Sequence, residues 1–447
     1  MTNLFFLLPL IAVAAAILVM TLGKRNSVLN CILLLMPTMT ATIYPALLGQ
    51  TILEVSTHGS VLDRLKYLAV ILGPLILGVI GTLNEIENQN RKPNSLNPNH
   101  AILVCVLLIF PVLKVYSVFQ LRPVNGVGQS IYIPLSAALA TIFLVVFIST
   151  DRIQVDTLRK SGEILLTFIF AFLFINSITQ ILTWPEQEKI PGSSDLDSYR
   201  FSPFGSILRA DSRQAFFESD PERFAMFALL AFGLVWTSES LLRKTTGCLL
   251  IFIIGSSTQS RLFYLGIILI LLTQICKKIF TSSSTFPRMA YLVVILSAYV
   301  FVLKDAGKIS SNQLSTFNGR TYIWGIVLDH WNDVGSIFGY YGAYNLYNYS
   351  MENSVLFVMY HAHNMVLQLL WDWGIFGLVM GAMVLLVFLK TYLRVQWGGF
   401  ILITLILFEG LIEPVLSFSV QSSEMFFLLI YLKYIFAPVA ISENSKV

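Results

Sequence analysis

Long apolar runs separated by short polar loops are the dominant pattern along this chain. Because a segment inside a bilayer must satisfy its own backbone hydrogen bonds, runs of about 20 apolar residues predict membrane-spanning α-helices. The runs lie at roughly 3–22, 28–49, 65–83, 101–119, 130–149, 162–182, 224–241, 246–276, 288–303, 363–389, 398–417 and 423–438. The run 246–276 is long enough for two short helices with a break near Gly255–Ser260, so the pattern predicts about 12–13 spans.

Basic residues fall in alternate loops between these runs, if 246–276 is counted as a hairpin. They are Lys24-Arg25, Arg91-Lys92, Arg159-Lys160, Arg243-Lys244, Lys277-Lys278, and Lys390 with Arg394. Cytoplasmic loops carry an excess of Lys and Arg, so these loops are predicted to be cytoplasmic. Two long polar segments, 183–223 and 304–362, then lie on the opposite side. We therefore predict an all-α protein with one helical membrane domain over residues 1–447 and two external segments.

Composition agrees with a polytopic membrane protein. The chain has 447 residues, of which 56% are hydrophobic and only 12% are charged. Soluble proteins contain about 25% charged residues, so too little polar surface is present to cover this chain in water. A soluble enzyme, a disordered protein and a secreted disulfide scaffold are excluded. The net charge of +4 is small and dispersed, which gives no indication of a nucleic-acid partner.

The external segments hold the residues that could carry chemistry. Three of the five histidines, His330, His361 and His363, lie in or next to the second segment. They do not have the number or spacing of metal ligands, and each could be a hydrogen-bonded structural residue or a general base. Aromatic side chains such as Tyr340 suit the faces of sugars, but they equally suit a belt at the membrane interface. In the first segment, Arg209 and Arg213 lie four residues apart, where they could guide an anionic substrate or form a solvated helical face.

Three short motifs occur in order in the second half of the chain. They are Arg261 with Leu265 four residues later, Asn318-Gly319-Arg320 with Trp324 four residues after the arginine, and His363-Asn364 followed by Gly374-Ile375-Phe376-Gly377. In this order, and on the predicted outer side, they resemble the motifs of the bacterial O-antigen ligase and polymerase superfamily. The resemblance covers roughly residues 246–380, and the first half of the chain matches that family only in hydropathy.

The resemblance implies a GT-C-like glycosyltransferase of the bacterial inner membrane whose active site faces the periplasm. Its donor would be an oligosaccharide linked to undecaprenyl diphosphate, and it would need neither a nucleotide sugar, nor a metal, nor another cofactor. The implied catalytic residues are His363, Arg261 and Arg320. Asn364 and Trp324 belong to the same motifs, and we add them to Tyr340, Arg209 and Arg213 as candidate substrate-binding residues.

The chemistry of these residue types fits that activity. The leaving group is a diphosphate, and arginine offers a planar, permanently charged fork that matches phosphate oxygens. A histidine can accept a proton from an acceptor hydroxyl near neutral pH, and direct attack by that hydroxyl would invert the anomeric carbon. A retaining route would need a carboxylate nucleophile, and Asp329, Asp333 and Glu352 lie in the same segment. The residues alone therefore leave the retaining route open.

Three functions remain to be distinguished. A polymerase would join lipid-linked repeat units of O-antigen, capsule or exopolysaccharide, with a chain-length regulator as a further partner. The residue sequence from Asn318 to Trp324 resembles that of polymerases slightly more than that of ligases and so favours this function. A ligase would use the same donor but transfer the chain to a lipid A core sugar. A lipid-linked oligosaccharide flippase would show internal repeats and charges near the midplane of the bilayer, and the sequence has no such repeat.

Overall fold

The structure is a computed structural model that describes part of the chain. The longer described ranges are 27–47, 61–87, 153–179, 221–258, 260–279, 320–334, 364–392, 397–410 and 423–436. Short pieces are also described at 108–109, 140–142, 144–145, 216–217, 288–290, 293–294, 297, 337, 346, 349–350, 353 and 362. Within these ranges every regular element is an α-helix, as the apolar pattern predicts. The predicted runs 3–22, 101–119, 130–149 and 288–303 lie wholly or mostly outside the described residues, so the predicted total of spans stays a prediction.

The described residues form ten long helices, which we number in chain order. They are α1 Ser27–Leu47, α2 Val61–Glu87, α3 Val155–Thr179, α4 Pro221–Trp236, α5 Leu241–Ser256, α6 Arg261–Ile279, α7 Arg320–Val334, α8 Met365–Tyr392, α9 Trp397–Gly410 and α10 Ser423–Phe436. All of them except α7 correspond to a predicted apolar run. Helix α7 lies inside the second external segment, where the sequence pattern predicted no helix.

The predicted break in the run 246–276 is confirmed. Helix α5 ends at Ser256 and α6 begins at Arg261. Hydroxyl groups close the end of α5, because Ser257 Oγ donates to the carbonyl oxygen of Ile254 at 2.6 Å and Thr258 Oγ1 donates to that of Gly255 at 2.7 Å. The Gly-Ser-Ser-Thr sequence thus ends one helix and allows the next to begin.

Helix α4 is the centre of the bundle. It packs against α3, α5, α6, α9 and α10. It begins with Pro221, which suits the first turn of a helix because proline lacks the N–H that would have no partner there. From Phe224 to Val235 the helix is apolar on every side, and all of these residues are buried. A helix that is apolar all round has to be surrounded by other elements or by lipid.

Apolar side chains are also exposed on the outside of the bundle. In α6, Leu265, Ile268 and Leu272 are 54%, 52% and 46% exposed, and they recur every three or four residues along one face. Comparable exposed apolar residues occur on α2, α3, α5 and α8. By length and composition, Val155–Thr179 and Met365–Met383 are the two candidate membrane spans within the described part of the chain.

Helix α8 is interrupted at one residue. Gly374 has φ 60° and ψ −148°, so the helix consists of two parts that meet there. This conformation is almost restricted to glycine. The atoms nearest to a Cβ placed on Gly377 belong to Trp373 and Leu369 of the same helix rather than to a neighbouring helix.

Candidate functional site

The proposed catalytic residues lie at or next to the starts of three helices. Arg261 is the first residue of α6 and Arg320 is the first residue of α7, and the structure describes the backbone of both. His363 lies outside the described residues, two positions before α8 begins. Of the candidate substrate-binding residues, Tyr340, Arg209 and Arg213 also lie outside them, whereas Asn364 and Trp324 are described.

Trp324 connects α7 to the segment that contains two of the histidines. Its Nε1 donates a hydrogen bond to the carbonyl oxygen of Ala362 at 2.9 Å. Ala362 is fully buried and lies in sequence between His361 and His363. Because Trp324 is one helical turn after Arg320, this bond brings the start of α7 next to the histidine segment. The substrate-binding role of Trp324 stays a prediction, and its indole N–H already has a partner within the protein.

The backbone N–H of Ala362 is bound from the other side. It donates to Gln368 Oε1 at 2.8 Å, and Gln368 Nε2 donates to Asp372 Oδ2 at 3.0 Å. Gln368 and Asp372 are four residues apart, so they lie on one face of α8. Sequence reasoning missed both, although that spacing in a predicted helix was a signal that could have found them.

Asn364 caps α8. Its Oδ1 accepts hydrogen bonds from the backbone N–H groups of Val366 at 3.0 Å and Leu367 at 3.1 Å. An N-cap side chain satisfies donors that the first turn of a helix leaves without partners. The side chain of Asn364 is fully buried, and this bonding explains why an amide is present there. Its predicted contact with substrate stays a prediction.

An apolar cluster holds these elements together. It is formed by the buried residues Ile323, Trp324, Val327, Leu346, Ala362, Leu367, Leu370 and Trp371. At its edge, the ring of His330 lies 4.7 Å from that of Tyr349 and 5.2 Å from that of Trp371. His330 is thus the histidine that the structure describes in this region, packed between two aromatic rings. Asp329, a carboxylate considered for a retaining route, is exposed on α7.

A carboxylate lies next to the start of α6. Ser260, the residue before Arg261, donates from Oγ to Glu222 Oε2 at 2.5 Å. Glu222 is in the first turn of α4, and Ser260 is almost fully buried. The sequence placed Glu222 among the charges of the first external segment and gave it no role. Pro221 and Glu222 are a helix-start pair, and this signal could have placed the carboxylate at the beginning of α4.

A second charged cluster is centred on Glu163 near the start of α3. Glu163 Oε2 accepts from Ser238 Oγ at 2.7 Å, and Glu163 lies 3.4 Å from Arg159 Nε and 3.8 Å from Arg243. Arg159 also donates to exposed Glu239 at 3.0 Å. This bond and the positive charge of Arg159 hold the pKa of the Glu239 carboxyl below its ordinary value. The cluster joins α3, α5 and the turn that connects α4 to α5.

The described residues include no group of three or more His, Cys, Asp and Glu side chains that could hold a metal ion. The described groups of α7 and α8 that could take part in chemistry include the carboxylates of Asp329 and Asp372, the amide of Gln368 and the ring of His330.

No relative was found in comparisons with known proteins. A scan against protein-family models, a search of curated proteins and a search of solved structures each gave no significant match.

Proposed function

We propose that this chain is a polytopic membrane glycosyltransferase that uses an oligosaccharide linked to undecaprenyl diphosphate. The acceptor is a sugar hydroxyl on a second lipid-linked repeat unit, so that the product is a growing polysaccharide. The active site faces the periplasm, and Arg261, Arg320 and His363 carry the chemistry.

The hydrogen bond from Trp324 Nε1 to Ala362 carries this proposal. It brings the start of α7, which has Arg320 as its first residue, close to the segment that contains His363. These two motifs are separated by about 40 residues in the sequence, and nothing in hydropathy requires them to meet. Their proximity is what a reaction needs when one residue binds the leaving diphosphate and the other accepts a proton.

The proposed reaction is a single displacement. The acceptor hydroxyl oxygen forms a bond to the anomeric carbon, and the bond from that carbon to the diphosphate oxygen breaks. His363 accepts the hydroxyl proton, and undecaprenyl diphosphate leaves with the electron pair of the broken bond. The arginines stabilise the negative charge that develops on the diphosphate, for which a bidentate guanidinium is better suited than a lysine.

Two further observations support the membrane setting. The exposed apolar face of α6 would be costly in water but suits lipid chains. Arg159 and Arg243, which the charge pattern assigns to the cytoplasmic side, contact the same carboxylate of Glu163 and so lie at one end of the bundle. This is what the proposed orientation requires.

The direct test is transfer by the purified protein in detergent. Wild-type protein is incubated with a lipid-linked repeat unit, first without and then with a chelator, and products are separated by length. A ladder of longer lipid-linked chains supports the polymerase. Transfer only to an added lipid A core would identify a ligase, and no transfer to either acceptor would overturn the proposed function. Loss of wild-type transfer on addition of chelator would favour a metal role for the histidines.

The proposed orientation has its own test. In a variant without the native cysteines, Asn353→Cys is compared with Glu239→Cys, since both positions are exposed. Only Asn353→Cys should react with a membrane-impermeant thiol reagent in intact cells whose outer membrane admits it, and Glu239→Cys should react after the inner membrane is opened. The reverse pattern would overturn the periplasmic site.

A further inference from the structure

The backbone of Ala362 is held by side chains of two different helices. Trp324 from α7 binds its carbonyl oxygen at 2.9 Å, and Gln368 from α8 binds its N–H at 2.8 Å. Ala362 is fully buried, so both polar groups of this residue depend on these partners rather than on water. The residue that follows it in the sequence is His363, and Asn364 after that is anchored as the N-cap of α8. His363 is therefore preceded and followed by residues with fixed bonds.

Asp372 determines how Gln368 can bind. A carboxylate only accepts hydrogen bonds, so it requires the Nε2 group of Gln368 on its side. The Oε1 of the same amide is then left to face the N–H of Ala362, which can only donate. Ala362, Gln368 and Asp372 form a chain of two hydrogen bonds, the first from the Ala362 N–H to Gln368 and the second from Gln368 to Asp372. Replacement of either side chain by one of the wrong polarity would break this order.

We propose that Gln368 and Asp372 are positioning residues that fix the segment containing the catalytic histidine. This inference rests on the proposed function, because it assumes that His363 is the base. A proton acceptor has to lie within hydrogen-bond reach of the hydroxyl that it deprotonates, and a misplacement of about 1 Å can cost about 100-fold in rate. The amide–carboxylate pair acts through the backbone of Ala362 and touches no substrate.

The polarity of the pair provides a sharp test. Gln368→Glu alone places two carboxylates next to each other, and Gln368→Ala removes both bonds. In the double variant Gln368→Glu with Asp372→Asn, the new amide can donate to the new carboxylate, whose second oxygen still accepts from Ala362. We expect kcat to fall by about 10–100-fold in the two single Gln368 variants, with KM for the lipid-linked donor within about twofold. The double variant should recover most of kcat.

The control is a buried hydrogen bond elsewhere. Thr404 Oγ1 donates to the carbonyl oxygen of Phe400 at 2.8 Å within α9. Thr404→Ala loses a bond of similar length but should retain kcat. A merely structural effect of the Gln368 variants would lower the amount of folded protein and the thermal unfolding temperature but leave kcat per folded molecule unchanged.

A second measurement does not depend on activity. Hydrogen–deuterium exchange of a peptide covering 361–364 should be faster in Gln368→Ala than in wild type and should return to the wild-type rate in the double variant. If Gln368→Ala has the same exchange rate as the wild type, the positioning role alone is overturned. The same holds if the wild type transfers sugar and Gln368→Ala has an equal kcat. A wild type that transfers nothing overturns the proposed function and the catalytic part of this inference, while the exchange result still decides whether Gln368 holds the segment.

Discussion

Phe376 donates its backbone N–H to the carbonyl oxygen of Ile337 at 3.0 Å. In an uninterrupted helix this N–H would bind the carbonyl four residues earlier, at Asp372. Gly374 breaks α8 between these positions, and Ile337, from the segment that follows α7, supplies the missing acceptor. The break is thus stabilised by a contact from outside the helix. It also connects α8 to the chain that follows α7 at a point separate from the Trp324–Ala362 bond.

The break at Gly374 predicts an unequal response to two glycine substitutions in one helix. Gly374→Ala places a side chain at φ 60° and ψ −148°, which should cost about 1–3 kcal/mol of unfolding free energy. Gly381→Ala meets only the end of the Leu369 side chain, at 2.8 Å, and should cost less. Thermal unfolding in detergent compares them. Equal shifts in both variants would mean that the break is not needed for stability.

The N-cap role of Asn364 can be tested separately from its predicted contact with substrate. Asn364→Ala loses the acceptor for two backbone N–H groups and should cost about 1 kcal/mol. Asn364→Asp keeps that acceptor and should keep the stability. If Asp at this position retains the unfolding temperature but lowers transfer, then the neutral amide contributes to transfer beyond its role as a cap. If it retains both, Asn364 acts as a cap alone.

The proposed base predicts a large effect at one of two neighbouring histidines. General-base catalysis is worth about 10²–10⁴-fold, so His363→Ala should lower kcat by that order while donor binding is retained. His361→Ala should retain more activity, because His363 and not His361 belongs to the His-Asn motif. Normal turnover by His363→Ala would place the base elsewhere. His330, between Tyr349 and Trp371, would then be the next histidine to replace.

The proposed diphosphate clamp predicts that lysine cannot replace arginine. Arg261→Ala and Arg320→Ala should each lower kcat/KM by about 10–100-fold or more, since hydrogen bonds to charged groups contribute about 1.5–3 kcal/mol each. Lysine at either position should restore little, because it lacks the bidentate fork. The measurement is initial transfer rate at equal membrane abundance. Full activity of either alanine variant would remove that arginine from the site.

The contact between Arg159 and Glu239 predicts a pH dependence with a defined sign. Arg159 lowers the pKa of Glu239, so the contact stabilises the folded protein above the unfolded pKa and is lost as pH falls through the folded value. The difference in unfolding temperature between wild type and Glu239→Gln should therefore be largest near neutral pH and disappear in acid. It should be small and decrease with salt, because Glu239 is exposed. A difference that grows as pH falls would contradict this assignment.

Hydropathy predicted most of the described helices, because a long apolar run forms a helix whichever apolar surface covers it. Helix α7 was missed for a physical reason. Its sequence from Arg320 to Val334 is mixed in polarity, and it is stabilised by the packing of Ile323, Trp324 and Val327 in a cluster with residues of α8. Such a contact has no periodic signal strong enough to distinguish the helix from a polar loop.

The motifs contain Trp324, which contacts the residue before His363, but they did not indicate that the contact is a hydrogen bond to the backbone of Ala362. Trp324 and Asn364 were chosen for substrate, whereas the structure gives both a partner within the protein. Ala362 takes part through its backbone, so its side chain carries no signal. The spacing of Gln368 and Asp372 places them on one face of α8, but their role follows only from the direction of the hydrogen bonds to Ala362 and between them. Three-dimensional contacts of this kind cannot be derived from residue types alone.

The central position of α4 has a consequence for how the protein is made. The chain is synthesised from the N-terminus, and α4 precedes α9 and α10 by about 160 residues or more. The sides of α4 that these two helices cover are therefore uncovered while the rest of the chain is being made. In the proposed membrane setting, the bilayer can cover the same surface in the meantime, because lipid tails are about as apolar as leucine. A chain that stops before residue 397 would leave lipid as the permanent neighbour of these sides.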